Sequence, residues 1–222
     1  MIGRWLHLRR VRFTLGSKDP ATRKAGLAML SDLTDPKTAA LVTHMAVLDS
    51  DLDCRRGAAA VLLQHRPSVA VNLLRTHLLT AGDEFTRCNA AELLGQIGGQ
   101  QAFEALARAF TDFTFRRVQE CSARALGLSR DPAVIPLLKQ IADDSFWRPN
   151  RKQRAGGSGI DIGQHEQVER DDVRVRCAAL EGLACIGGDE ARAIIRRHTK
   201  DADITVRMAA ERLLRQAETP SK

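Results

Sequence analysis

Apolar residues along the chain recur at helical spacing in short segments, and no run alternates with period two over a useful length. From Glu84 to Ile97 the apolar positions Ala90, Leu93, Leu94 and Ile97 share one helical face, and Gly98-Gly99 then interrupts the pattern. A second helix is predicted over Ala102 to Phe110, with Phe103, Leu106 and Phe110 on one stripe. The next stretch repeats the arrangement, with Val118 to Leu128, a turn at Asp131-Pro132, then Val134 to Ile141. Proline is tolerated there because the first turn of a helix leaves its backbone donor unpaired anyway. Equivalent breaks occur at Asp35-Pro36 and Gly187-Gly188. The pattern predicts an all-α chain of paired helices.

The pairs are copies of one unit. Arg23, Arg55 and Arg87 stand 32 residues apart, Gln119 takes the next slot, and Arg176 and Arg207 follow 31 apart. Three residues after each slot is a small side chain: Gly26, Ala58, Ala90, Ser122, Ala179 and Ala210. Seven after it is leucine: Leu30, Leu62, Leu94, Leu126, Leu183 and Leu214. A fixed period in this range marks a solenoid, whose units bury their apolar faces only by stacking. The expected fold is a right-handed α-solenoid of about six stacked helix pairs. Small residues let successive helices approach closely, and the leucine fills the core between them. The arginine ladder is expected to be structural, its stem along the apolar face and its head bonded to an acid or helix end in a neighbouring unit.

The unit Thr86-Arg87-Cys88-Asn89-Ala90-Ala91-Glu92-Leu93-Leu94-Gly95-Gln96-Ile97-Gly98 resembles short bacterial HEAT repeats of the kind noted in phycobilisome lyases. Val173-Arg174-Val175-Arg176-Cys177-Ala178-Ala179-Leu180 and Ile204-Thr205-Val206-Arg207-Met208-Ala209-Ala210 match the same pattern. The resemblance runs over roughly residues 17 to 217 and departs from the pattern at Gln119. It implies a fold rather than one activity, since such solenoids serve as adaptors, lyase subunits, hydroxylases and DNA-repair enzymes. Hydroxylases of the deoxyhypusine type carry several His-Glu pairs that jointly hold two irons. His165-Glu166 is the one such pair in this chain, so that reading is rejected. HEAT-like glycosylases use tryptophans in a concave channel, whereas Trp5 and Trp147 both fall outside the second helices.

Composition narrows the picture. The chain has 222 residues, 44% hydrophobic and 4% aromatic with no tyrosine, which suits an Ala/Leu-packed solenoid. No apolar run reaches the ~18 residues of a membrane span, and the first residues lack the features of a secretory signal. A cytoplasmic location is expected. The five cysteines (Cys54, Cys88, Cys121, Cys177 and Cys185) all fall on first helices without a Cys-x-x-Cys pair. Buried free thiols are expected, with no metal and no cofactor. Residues 1–16 are expected to form a basic amphipathic cap helix, with Arg4, Arg9, Arg10 and Arg12 interleaved with Trp5, Leu8, Val11 and Leu15. Residues 17–217 form the solenoid and 218–222 a tail.

The net charge of +7 points to two candidate binding features. Positions 20 and 21 past each slot (Thr43/His44, Arg75/Thr76, Ala107/Arg108, Lys139/Gln140 and Arg196/Arg197) are expected on the outer side of the second helices. Arg75, Arg108, Lys139, Arg196 and Arg197 would then form a basic stripe along the concave face, suited to an acidic protein or a phosphate backbone. An insertion at about 145–170 adds Trp147, Arg148, Arg151, Lys152 and Arg154, expected in a partner-contacting loop. No Gly-Lys-Ser/Thr follows its glycines, so it is not a nucleotide loop. No nucleophile motif is present. The sequence therefore predicts a non-enzymatic adaptor that binds another protein through its concave surface and the insertion. Nucleic acid is the alternative partner, a lyase-like role on a partner or chromophore is a third reading, and the first helix offers contact with a membrane surface.

Overall fold

The computed structural model describes the backbone over 2–110, 115–143 and 162–218, and side chains over 5–110, 115–143 and 173–217. Twelve α-helices and two short 3-10 turns make up the described residues, with no strand among them. The fold is an all-α solenoid of stacked helix pairs. The chain divides into two compact units, residues 1–97 and 98–222.

In the first unit, α1 (Ile2–Leu15) packs on α2 (Pro20–Ala28) and α3 (Pro36–Leu48). The unit continues with α4 (Leu52–His65), α5 (Ser68–Thr80) and α6 (Glu84–Ile97). Helices α2, α4 and α6 neighbour one another in one layer, while α3 and α5 make the second. Aspartates start the helices. Asp19 accepts the Ala21 and Thr22 amides, Asp35 the Thr38 amide, Asp51 the Cys54 amide and Asp83 the Thr86 amide. These bonds satisfy backbone donors that have no partner inside the helix. Pro36 occupies a first-turn position, as expected, and Pro20 does the same in α2.

In the second unit, α7 (Gln100–Ala109) and α8 (Arg116–Leu128) are followed by a 3-10 turn at Pro132–Val134 and α9 (Ile135–Ala142). Then come α10 (Ile162–Ile186), α11 (Gly188–Arg197), a 3-10 turn at His198–Lys200 and α12 (Ile204–Glu218). Helix α10 packs against α8 on one side and α12 on the other, repeating the layer of first helices. Gly98 and Gly187, at φ 72° and 73°, end α6 and α10 in the left-handed conformation that closes a helix. Arg66 and Arg130 hold the same conformation at the ends of α4 and α8, at φ 43° and 53°.

The small residues three past each slot are all buried, from Gly26 to Ala210. The leucines seven past the slot are buried at Leu62, Leu94, Leu126 and Leu183, and half-buried at Leu30 and Leu214. Two expectations change. Helix α10 begins at Ile162, so the last part of the segment read as an inserted loop is helical. Gln164, Glu166, Gln167 and Glu169 are good helix formers without an apolar stripe, so periodicity alone misses that extension. The sixth unit is represented among the described residues by its first helix, α12, alone.

Candidate functional site

Every slot residue donates to a carbonyl at or just beyond the C-terminal end of the helix or 3-10 turn that precedes its own helix. Arg23 Nη1 reaches the carbonyls of Ser17 (3.0 Å) and Lys18 (2.9 Å), and Arg55 Nη1 reaches Asp49. Arg87 Nε reaches Ala81 at 2.6 Å, Arg176 Nε reaches Ala142 at 2.7 Å, and Arg207 Nη1 reaches Asp201 at 2.6 Å. Helix C-terminal ends leave carbonyls unpaired and carry partial negative charge, so a guanidinium satisfies both. Gln119 performs the same task without charge. It is fully buried, its Nε2 donates to the Phe110 carbonyl at 3.1 Å, and its Oε1 accepts Arg116 Nη1 at 3.0 Å.

Two of these links extend across repeats. Arg23 grips the Asp49 carboxylate with Nε at 2.8 Å and Nη2 at 2.6 Å, while the Asp49 carbonyl accepts Arg55. Asp201 repeats the arrangement, its carboxylate accepting Arg176 and its carbonyl Arg207. Burial alone would push the Asp201 carboxyl up, but bonds from the Asp203 amide, His198 and Arg176 outweigh it and hold it below the usual range. Buried His198 sits between two acids, with Nδ1 3.0 Å from Asp201 Oδ2. Its Nε2 lies 3.1 Å from Asp143 Oδ1 without making a hydrogen bond. Because guanidiniums already occupy both carboxylates, the cluster is built to clamp helix ends.

The second-helix positions divide into two sets. Arg75, Arg108, Lys139 and Arg196 are exposed on α5, α7, α9 and α11. The side chains of Arg75, Lys139 and Arg196 make no hydrogen bond or ion pair among the described residues, although the Arg196 carbonyl accepts the Thr199 hydroxyl. Arg197, expected in the same stripe, donates to both oxygens of Asp143 at 2.8 and 3.1 Å. Thr43, expected on the outer side, is fully buried, and its hydroxyl donates to the Ala39 carbonyl at 2.8 Å. Adjacent residues on a helix point about 100° apart, and both members are exposed at Arg75/Thr76, Lys139/Gln140 and Arg196/Arg197, whereas at Thr43/His44 only one faces outward. His44 is the exposed member of that pair, its ring 6.0 Å from that of His77. Trp147, Arg148, Arg151, Lys152 and Arg154 lie outside the described residues. So do the side chains of His165 and Glu166, whose backbone belongs to α10.

Sequence reasoning missed one basic feature. Arg116, Arg117 and Arg174 surround an open hollow of about 330 Å³ together with Glu120, between α8 and α10. The Arg116-Arg117 pair just before the one slot without arginine is the signal that could have found it. The thiols also need correction. Cys54 is buried, Cys88, Cys121 and Cys177 are half-buried, and Cys185 is exposed near the end of α10. Burial pushes the Cys177 thiol up to about 11. No group of three or more metal-binding side chains is assembled among the described residues.

Residues 71–155 match the family model described as HEAT repeats. Over that stretch the chain is similar to HEAT repeats. Human deoxyhypusine hydroxylase, solved with glycerol, aligns with 20% identity and a TM-score of 0.46, over 94% of this chain and 72% of the hydroxylase. The complex of CpcE and CpcF of phycocyanin lyase from Nostoc aligns with 24% identity and a TM-score of 0.43, over 85% of this chain and 66% of that one. Among curated proteins, the sequence finds no match. No helix among the described residues is long and apolar enough to cross a membrane.

Proposed function

We propose that this HEAT-repeat protein is a non-enzymatic adaptor that holds an acidic partner protein on its second-helix surfaces. Arg75, Arg108, Lys139 and Arg196 would contact the partner, assisted by Trp147, Arg148, Arg151, Lys152 and Arg154 of the inserted segment. The carrying observation is the contrast between two sets of cations. The slot arginines are all bonded to helix ends or carboxylates, whereas the side-chain heads of Arg75, Lys139 and Arg196 stand exposed and unpaired on the second helices α5, α9 and α11. Within each unit, packed helices form a preformed surface, so little ordering entropy opposes binding there. Exposed cations steer an oppositely charged partner and set its orientation.

Affinity capture with the wild type and with R75A/R108A/K139A/R196A, each with and without nuclease, tests the reading. A partner retained after nuclease and lost with the fourfold variant is the expected result. Equal capture by a normally folded fourfold variant would remove these cations from the interface. The same exposed cations also fit a nucleic-acid backbone. In that case nuclease would release the captured material, and duplex affinity would fall steeply with salt, by counterion release.

A further inference from the structure

The adaptor reading leaves α1 unexplained. Its inner face is seated firmly, with Val11 and Leu15 at 0% and 1% exposure. A Cβ added at Gly26 would lie 2.6 Å from Thr14 Oγ1 and 3.1 Å from the Leu15 amide, so α1 lies tight against α2. The opposite face is also apolar, yet open. Trp5 is 55% exposed, Leu6 53% and Phe13 81%. Trp5, Arg9 and Phe13 follow one another at i, i+4, and Leu6 lies beside them, so all four share one side of the helix. The Arg9 guanidinium stacks on the Trp5 ring at 5.5 Å. Exposed Arg10 borders the patch, and no acidic residue occurs before Asp19.

We infer that this outer face of α1 docks on an anionic lipid bilayer surface, with Trp5, Leu6 and Phe13 entering the interface and Arg9 and Arg10 meeting headgroup phosphates. Tryptophan and phenylalanine beside arginines on a surface-lying helix are the combination that binds at the headgroup–acyl boundary. Arginine stems extend along apolar surface while their heads stay at the phosphates, so Arg9 within the patch is compatible with insertion. A second copy fits poorly, because a symmetric contact would set Arg9 and Arg10 against their own counterparts. A protein groove fits less well on area. A helix of this length is about 21 Å long and about 10 Å wide. Its face projects roughly 200 Å², well below the ~800 Å² per partner of a stable protein interface.

The test is co-sedimentation of the full chain with phosphatidylcholine vesicles, with and without phosphatidylserine, in a W147F background that leaves Trp5 as the one tryptophan. Binding to the anionic vesicles, weakening with salt, and a blue shift of Trp5 emission are expected. The variant W5A/F13A keeps the net charge and alters exposed side chains, so it should melt like its parent yet bind roughly tenfold less. R9E/R10E should abolish binding. The fourfold second-helix variant should still shift Trp5 emission, which separates this inference from the adaptor reading. Equal binding by W5A/F13A, or unmoved Trp5 emission on bound vesicles, would overturn the assignment to α1. No vesicle binding at all would overturn it in favour of a protein partner. A concentration-dependent dimer lost in W5A/F13A would overturn it in favour of a second copy.

Discussion

Adding one methyl group at Gly127 tests how tightly the layer of first helices is packed in the second unit. Gly127 on α8 faces Gly182 on α10, and a Cβ at 127 would lie 2.2 Å from the Gly182 carbonyl oxygen and 2.3 Å from its Cα. Such contacts settle near 3.5–4.0 Å, so the helices must separate by roughly 1–1.5 Å. The obstructing atoms are backbone, and no rotamer change relieves them. Overpacking costs about 1–3 kcal/mol, and a backbone collision belongs at the upper end of that range. Alanine recovers about 1 kcal/mol through helix propensity, leaving a net loss of about 2 kcal/mol. For a chain of this size that lowers Tm by about 4–8 °C. Gly57→Ala on α4 is the matched control, since its Cβ would meet only Leu27 Cδ1, at 3.1 Å, the end of a flexible side chain. That variant should melt at or slightly above the wild type. Thermal melts followed by far-UV circular dichroism give both values. An unchanged Tm for G127A, or an equal fall for G57A, would refute the packing argument.

Asp49→Ala should lower Tm clearly more than Lys24→Ala, because Asp49 takes a two-point grip from Arg23 while Lys24 makes exposed ion pairs at 3.0 and 3.5 Å. Equal melts would mean the Arg23–Asp49 link adds nothing beyond a surface pair. A maleimide reagent should modify Cys185 first and Cys54 last, read by peptide mass spectrometry, since exposure governs access and burial pushes the Cys54 thiol up. The capping acids set an acid limit. The Thr38 hydroxyl holds the Asp35 carboxyl below its usual range, the Cys54 amide holds Asp51 and the Thr86 amide holds Asp83. A folded-state value below the unfolded one means the unfolded chain binds more protons in that window. Stability is then present above about pH 4 and lost as pH falls through the folded values. Asp83→Asn caps equally well but does not titrate, so it should match the wild-type Tm near neutrality and lose less on acidification. A parallel loss in both proteins would remove Asp83 from the acid transition.

The fold was legible because its constraints repeat. A small residue and a leucine at fixed offsets from one arginine are each forced by close stacking, and a constraint forced in every unit leaves a period. A second such period went unread. Asp19, Asp51, Asp83 and Asp203 each stand four before a slot and accept amides of the first helical turn. Together, aspartate and arginine fasten both sides of the junction between units, one holding the new helix start and the other the old helix end. Gln119 was the position least consistent with the pattern, yet its amide both donates to the Phe110 carbonyl and accepts from Arg116. A buried slot therefore tolerates the loss of charge so long as the carbonyl keeps a donor.

The candidate site was less legible because a cation's role depends on its partner rather than on its register. Arg196 and Arg197 are neighbours with the same offset logic, but Arg197 finds Asp143, 54 residues away, and Arg196 does not. Spacing places a side chain on a face, while distant carboxylates decide whether its charge is taken up within the fold. The same reasoning separates α1 from the ladder. Val11 and Leu15 follow from the need to cover the first repeat, whereas Trp5, Leu6 and Phe13 stay exposed on the other side. A helix with apolar residues on both faces ordinarily lies buried between two layers. Here one layer is α2 and α3, and vesicle binding by W5A/F13A decides whether lipid supplies the other.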